Sequence, residues 1–353
     1  MPDHSYRDFA SDNYAGAHPE MIEAIAAANT GHEPAYGDDS HTARLQQVVR
    51  GHFGERAEAY PVFNGSGANF LALTSVLPRW GVIVTTETAH IHTDEHGALE
   101  RLSGLKLQTV PAEEGRIAPE HVAGASGIHD TRPLAVSITQ VTELGTVYSV
   151  EQVRAVADAA HELGMAVHMD GARIGNAAAA LGVSLREFTT DAGVDILSFG
   201  GTKNGMLFGE AVIVLNPDVS DGLVHLRKLS MQLASKMRYI SAQLIALLEG
   251  DLWLRSASHA NAMAARLRAG LEALALPQLE FTHPTEANAV FATLPLTAID
   301  VLRRRYDFYD WERPLASDAQ RGEVRWMSAW DTTPAQVDEF IVDVASALAS
   351  PAG

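Results

Sequence analysis

Three short segments hold residues whose types and spacing could do chemistry. In DILSFGGTKNG an apolar run passes through Phe199 into Gly200 and Gly201 and presents Lys203. An amine in a partly desolvated pocket has a lowered pKa and can condense with an aldehyde. In MAVHMDGAR an apolar run ends in Asp170, and Arg173 follows after two small residues. A carboxylate there would stabilise a protonated ring nitrogen by opposite charge, and a protonated ring is an electron sink; a plain ion pair between Asp170 and Arg173 accounts for the same residues. In the run Asn64, Gly65, Ser66, Gly67, small residues open a helical segment, so backbone N–H groups can approach an anion such as a phosphate. That run matches neither G-x-G-x-x-G nor G-x-x-x-x-G-K-[ST], and as a structural turn it requires no ligand. Asp170 and Lys203 stand 33 residues apart, enough for a crossover that returns both to one end of a parallel sheet, where open α/β folds bind ligands.

The elements that must position these residues follow from alternation. The apolar runs YPVF, VIVTT, LQTV, LAVSIT, MAVHM, DILSF and AVIVL recur between helical segments, a pattern that predicts a mostly parallel sheet covered on both faces. PEMIEAIAAAN, HTARLQQVVRGHFG and EQVRAVADAAHELG carry helical spacing. The stretch 218–248 reads as one long helical connector. Beyond it, the strand-like QLEF, ANAVFATL and EVRWMSAW interleave with the helical TAIDVLRRRY and PAQVDEFIVDVASALA. The expected organisation is therefore a large α/β domain over 1–245, including an N-terminal arm, and a smaller C-terminal α+β domain over 246–353.

Composition narrows the classes. Over 353 residues the formal charge is −18, which argues against nucleic acid as a partner, because tracking phosphates needs a cationic surface. With no cysteine, disulfide scaffolds, thiolate nucleophiles and cysteine-ligated metals are excluded. No signal-like N-terminus and no long apolar run is seen, so the expectation is a cytoplasmic protein without membrane contact.

The segments FASDNYAG, AYGDD, FNGSGAN, ETAHIHTDEHGA, TQVTELGTVY, HMDGARIGNA, SFGGTKNGM, ASKMR and RWMSAWDT together resemble the threonine aldolase family, in its low-specificity L-threonine aldolase branch of the fold-type I pyridoxal 5'-phosphate (PLP) enzymes. HMDGAR and SFGGTKNG are the most specific of them. The resemblance implies an aldehyde-lyase that cleaves L-threonine, L-allo-threonine and related L-β-hydroxy-α-amino acids to glycine and an aldehyde, through a PLP aldimine on Lys203 and a glycine quinonoid. It implies Asp170 as partner of the pyridine nitrogen, Gly65, Ser66 and Gly67 as a phosphate cup with Arg238 adding charge, and His90 stacked on the cofactor ring. Ser11, Arg173 and Arg325 resemble the residues that hold the substrate carboxylate, with Tyr36 lining the site. A homo-oligomer, dimer or tetramer, with shared active sites is implied as well. One departure stands out. Where many family members carry a histidine after the strand LAVSIT, this chain has Gln140, Val141, Thr142 and Glu143, which leaves His90, Asp94, Glu143 or an ordered water as the base for the substrate hydroxyl.

Rival readings remain at this level. The same electron sink supports β-elimination or transamination. His90, His92, Asp94 and His96 alternate and would share one face of an extended segment as ligands of a metal-dependent hydrolase, a reading that leaves Lys203 and Asp170 without a task. A scaffold protein does not explain polar residues at several strand ends.

Overall fold

The computed structural model describes residues 8–123, 133–312 and 320–349. The chain divides into two compact units: Gly16–Glu143 with Val147–Leu254, and Met1–Ala15 with Leu144–Thr146 and Arg255–Gly353. The division falls after Leu254 rather than after residue 245, and the N-terminal arm belongs to the smaller unit.

The larger unit carries seven strands: β1 (Glu58–Val62), β2 (Val82–Thr86), β3 (Lys106–Val110), β4 (Pro133–Thr139), β5 (Ala166–Gly171), β6 (Ile196–Phe199) and β7 (Glu210–Val214). They form one sheet in the order β1-β7-β6-β5-β4-β2-β3. The ladders from β3 to β6 are parallel, and β7 runs antiparallel to both β6 and β1. Every residue of β2, β5, β6 and β7 is buried, as the near-continuous apolar runs require of a sheet covered on both faces. The C-terminal ends of β1, β2, β4, β5 and β6 therefore share one edge of the sheet, together with the start of β7.

Two local features bear on that edge. The helix Val150–Glu162 starts at a capping box between Ser149 and Gln152 and feeds β5 in register. The expected long connector is instead two helices, Leu223–Leu229 and Arg238–Leu248. The chain turns between them at Met231, whose φ is 59°, and the interruption frees Gln232 to face the glycine turn.

The smaller unit holds a four-stranded antiparallel sheet of β8 (Glu280–Phe281), β9 (Ala289–Pro295), β10 (Tyr309–Glu312) and β11 (Arg321–Met327), in the order β10-β11-β9-β8. Phe9 explains why the arm joins it. Its ring stacks on Phe340 at 4.4 Å, its N–H donates to the Asp307 carbonyl, and its carbonyl accepts from Met327 N–H. Fully burying one aromatic side chain contributes about 1.5–3 kcal/mol, enough to fix a short terminal segment.

Candidate active site

The site grows from the strand ends of the larger unit. Asp170 is the next-to-last residue of β5 and is 5% exposed. One of its carboxylate oxygens accepts from Ala172 N–H at 3.0 Å and the other from Asn69 Nδ2 at 2.8 Å. Asn69 lies in the helix Gly65–Val76 and donates also to Glu95 Oε1 at 2.9 Å. Glu95 Oε1 in turn meets His90 Nδ1 at 2.9 Å. Thus β5, the helix after β1 and the loop after β2 are tied by one chain of polar contacts, Asp170–Asn69–Glu95–His90. Glu95 raises the pKa of His90 through this hydrogen bond, burial opposes it, and Asp170 adds to the rise.

The glycine turn is built as its composition predicts. Asn64 caps the helix by accepting from Gly67 N–H at 2.8 Å. Gln232 lies across the turn and accepts from Phe63 N–H at 3.0 Å. A Cβ at Gly67 would stand 2.4 Å from the Gln232 side chain, whereas one at Gly65 would meet nothing within 4 Å. A side chain at Gly67 would have to displace Gln232, while Gly65 leaves the helix N-terminus open to an anion.

Lys203 sits in a single turn, Thr202–Asn204, after β6. Gly200 permits that turn, because a Cβ there would lie 2.3 Å from the Ala172 carbonyl oxygen. The sequence has four lysines, at 106, 203, 228 and 236. Of these, Lys203 acts electrostatically on His90, while Lys228 lies over the ring of Tyr36. Arg173 is half-buried at the start of the helix that follows β5.

Several expected residues fall elsewhere. Asp94 is exposed and accepts from the Thr93 hydroxyl at 2.7 Å; it is Glu95, its neighbour, that turns inward. His90–Thr93 is a helical turn, so His90, His92, Asp94 and His96 diverge, and among the described residues no group of three or more His, Cys, Asp or Glu could hold a metal ion. Arg238 donates to the Thr30 carbonyl and to Tyr239 Oη; the residue that reaches the glycine turn is Gln232. Tyr36 is exposed, with a φ of 64°. Ser11 and Arg325 belong to the smaller unit, where Arg325 donates to the Ala10 carbonyl at 3.3 Å and lies over the rings of Tyr309 and Trp311.

Glu143 takes a different task from the one its position first indicates. Its Oε1 accepts from His90 N–H at 2.8 Å and from the Thr139 hydroxyl at 2.9 Å. Burial pushes its pKa up to about 7 against those two donors. Gln140 anchors the same loop by exchanging two hydrogen bonds with the Tyr148 backbone, at 2.9 and 3.0 Å. His90 is consequently held at its backbone by one carboxyl group and at its ring by another.

In sum of chemistry, the edge offers a buried carboxylate for a cationic ring nitrogen, an open helix N-terminus for an anion, an amine for an aldehyde carbon and an imidazole backed by a carboxylate. Comparison with known proteins is consistent with that set. The family model described as "Beta-eliminating lyase" matches residues 8–295. The low specificity L-threonine aldolase of Pseudomonas aeruginosa is 43% identical over 98% of both chains. The chain belongs to the β-eliminating lyase family, on its threonine aldolase branch. A second low specificity L-threonine aldolase, from a Pseudomonas species, is 42% identical over 99% of this chain and all of its own. The solved structure of Leishmania major threonine aldolase superposes with a TM-score of 0.90 at 28% identity, covering 98% of this chain and 100% of that one. The fold is accordingly that of the fold-type I enzymes, as the alternation of runs predicts.

Local pattern assigns no role to Asn69, within FNGSGAN, or to Glu95, within ETAHIHTDEHGA, and Gln232 belongs to no motif of the sequence. Asn69 reads as one polar residue inside an apolar helix; only its helical phase, facing the end of β5, marks it.

Proposed function

We propose that this protein cleaves L-threonine and related L-β-hydroxy-α-amino acids to glycine and an aldehyde with PLP as cofactor. The observation that carries the reading is the connected set Asp170–Asn69–Glu95–His90, gathered on the edge that also bears Lys203 and the glycine turn. The donor set fits PLP: Asp170 for the pyridine nitrogen, Gly65, Ser66 and Gly67 for the phosphate, Lys203 for the aldehyde carbon. When bound, PLP takes up the electron pair released at Cα as the Cα–Cβ bond breaks.

The protein's own residues supply the rest. Arg173 binds the substrate carboxylate and so fixes which bond at Cα stands perpendicular to the ring. His90 has Nδ1 committed to Glu95, which leaves Nε2 to take the β-hydroxyl proton as the aldehyde departs. A proton returned to Cα completes glycine, so threonine divides into glycine and acetaldehyde with no other reactant. Glu143 holds the His90 loop and does not itself take the proton.

The chain acts as a homo-oligomer, dimer or tetramer. Leu102, Leu229 and Met231 are 74%, 76% and 82% exposed, and all three border a groove of about 620 Å³ beside Ser66 and Gly67; an apolar surface of this kind fits a second copy of the chain. We place it in the cytoplasm, on the strength of its cysteine-free acidic composition; no helix of the described residues is long and apolar enough to cross a membrane.

The deciding experiment incubates wild type and Lys203→Ala with PLP, fixes bound cofactor with borohydride, maps the modified peptide by mass, and assays acetaldehyde and glycine from L-threonine. Modification at Lys203 with equimolar products supports the reading; 2-oxobutanoate and ammonia in place of glycine and aldehyde would make the enzyme an eliminating lyase, and cofactor fixed elsewhere or not at all would end the assignment of Lys203.

A further inference from the structure

One buried carboxyl group on the same edge has no part in the chemistry above. Glu210 opens β7 and is 7% exposed. Its Oε2 accepts from Gly201 N–H at 2.5 Å and its Oε1 faces Thr202 N–H at 3.4 Å. The two N–H groups immediately before Lys203 therefore point at one carboxyl group. The Thr202 hydroxyl donates to the Gly209 carbonyl at 3.3 Å, so the lysine turn is stitched to the start of β7 on both sides. On the far side Asn204 donates to the Trp253 carbonyl at 2.9 Å.

Among the described residues, the charge that acts on Glu210 is that of Lys203. The rest of β7 is Ala211, Val212, Ile213 and Val214; the adjoining end of β1 is Pro61 and Val62; the adjoining end of β6 is Ser198 and Phe199. The helix Gly65–Val76, packed on β7, carries no ionisable side chain. Arg227, a buried cation, donates to the Pro61 carbonyl, and the electrostatic influence on it comes from Tyr60. Lys203 is the cation that acts on Glu210, lowering its pKa against the rise that burial causes.

We infer that Glu210 is a positioning residue for Lys203: its buried carboxyl group clamps the turn that carries the lysine and supplies the counter-charge that governs the protonation of the lysine amine. This rests on the reading of Lys203 as the residue that holds PLP. An ionised Glu210 favours the ammonium form, and a neighbouring opposite charge shifts a titration by about 1–3 pH units. The carboxyl group is buried, with both oxygens turned to the N–H groups of the turn. Its effect is therefore on how readily Lys203 is deprotonated to capture the cofactor.

The test exploits the four lysines of the sequence. Reductive methylation with ¹³C-formaldehyde of the cofactor-free protein gives a small, assignable set of dimethyl-lysine signals, each titratable by NMR. Glu210→Gln keeps the shape and an acceptor for Gly201 N–H while removing the charge. The Lys203 midpoint is expected to fall by about one unit, with Lys106, Lys228 and Lys236 unmoved, and the pH midpoint of the visible absorbance of Lys203-bound PLP is expected to fall with it. An unchanged Lys203 midpoint in a folded Glu210→Gln protein would overturn the inference and leave Glu210 a packing residue. Should that variant not fold, the wild-type titration decides: Lys203 should show a second inflection near pH 7, where Glu210 titrates, and a single inflection would overturn the inference. The amine titration needs no cofactor, so a failure of PLP to attach to Lys203 would count against the functional reading alone.

Discussion

His90 Nδ1 and Glu95 Oε1 stand 2.9 Å apart, with the Glu95 side chain almost wholly buried. That pairing fixes the tautomer and orientation of the imidazole and stabilises the cation it becomes on accepting a proton. Because Glu95 is the largest cause of the raised His90 pKa, Glu95→Gln should lower it. If neutral His90 is the base, the acidic limb of the kcat/KM profile will move to lower pH in the variant, while kcat on the plateau falls about 10–100-fold because the imidazolium loses its partner. A pH profile of L-threonine cleavage checks both; a limb that stays in place would remove His90 from the role of base.

Asn69 gives one amide nitrogen to two carboxylates, Asp170 and Glu95, at 2.8 and 2.9 Å. Asn69→Leu would leave two buried acceptors without this donor, at a cost of about 1–3 kcal/mol for each. The expected result is a fall in unfolding free energy by denaturant titration, together with weaker PLP retention on dialysis as Asp170 loses its fixed orientation. Wild-type stability in Asn69→Leu would mean that the amide is not a structural link.

These residues show what a one-dimensional reading can and cannot supply. Asp170 ends an apolar run that must be a buried strand and Lys203 follows another across a short glycine turn, so the fold and the reactive pair come from one pattern. Asp94 and Glu95 are adjacent carboxylates, and the alternation of His90, His92, Asp94 and His96 favours Asp94; the helical turn at His90–Thr93 leaves Asp94 exposed and turns Glu95 inward. Gln232 lay inside what read as continuous helix and reaches the glycine turn only because Met231 adopts a positive φ. Glu210 opens an apolar strand, and nothing local tells that its partners lie nine residues back, at Gly201.

Gly67 and Gln232 offer a steric test of the cofactor's anion site. A Cβ at residue 67 would lie 2.4 Å from Gln232 Cδ, so Gly67→Ala must push the flexible glutamine aside. Affinity for PLP is expected to fall about 10-fold or more, with Gln232→Ala restoring part of it in the double variant, as coupled neighbours do. Fluorescence titration with PLP measures all four proteins; strict additivity would show that the glutamine and the glycine do not compete for the same space.

The last prediction concerns pH and the folded state. His168 is fully buried, with Nδ1 at 2.9 Å from Ser137 Oγ and Nε2 at 3.0 Å from Ser198 Oγ, and burial holds its pKa down to about 4 from the ordinary 6.5. The unfolded chain therefore binds the proton first, and stability drains away as pH falls from about 6.5 to about 4, by on the order of 3 kcal/mol in total. Glu143 and Glu210 work in the opposite sense: burial raises both to about 7, so the stability they contribute is present below the ordinary carboxyl pKa of 4.5 and lost as pH rises through 7. The two trends overlap between about pH 4.5 and 6.5, where they offset one another. His168→Asn is expected to be less stable than wild type near neutrality, through the packing and hydrogen bonds it gives up, yet to close part of that gap on acidification from about pH 7 to pH 5. Urea midpoints across that range compare the slopes directly. Parallel slopes for wild type and variant would mean that His168 takes up its proton in the folded protein as easily as in the unfolded chain, in conflict with its burial between two hydroxyls.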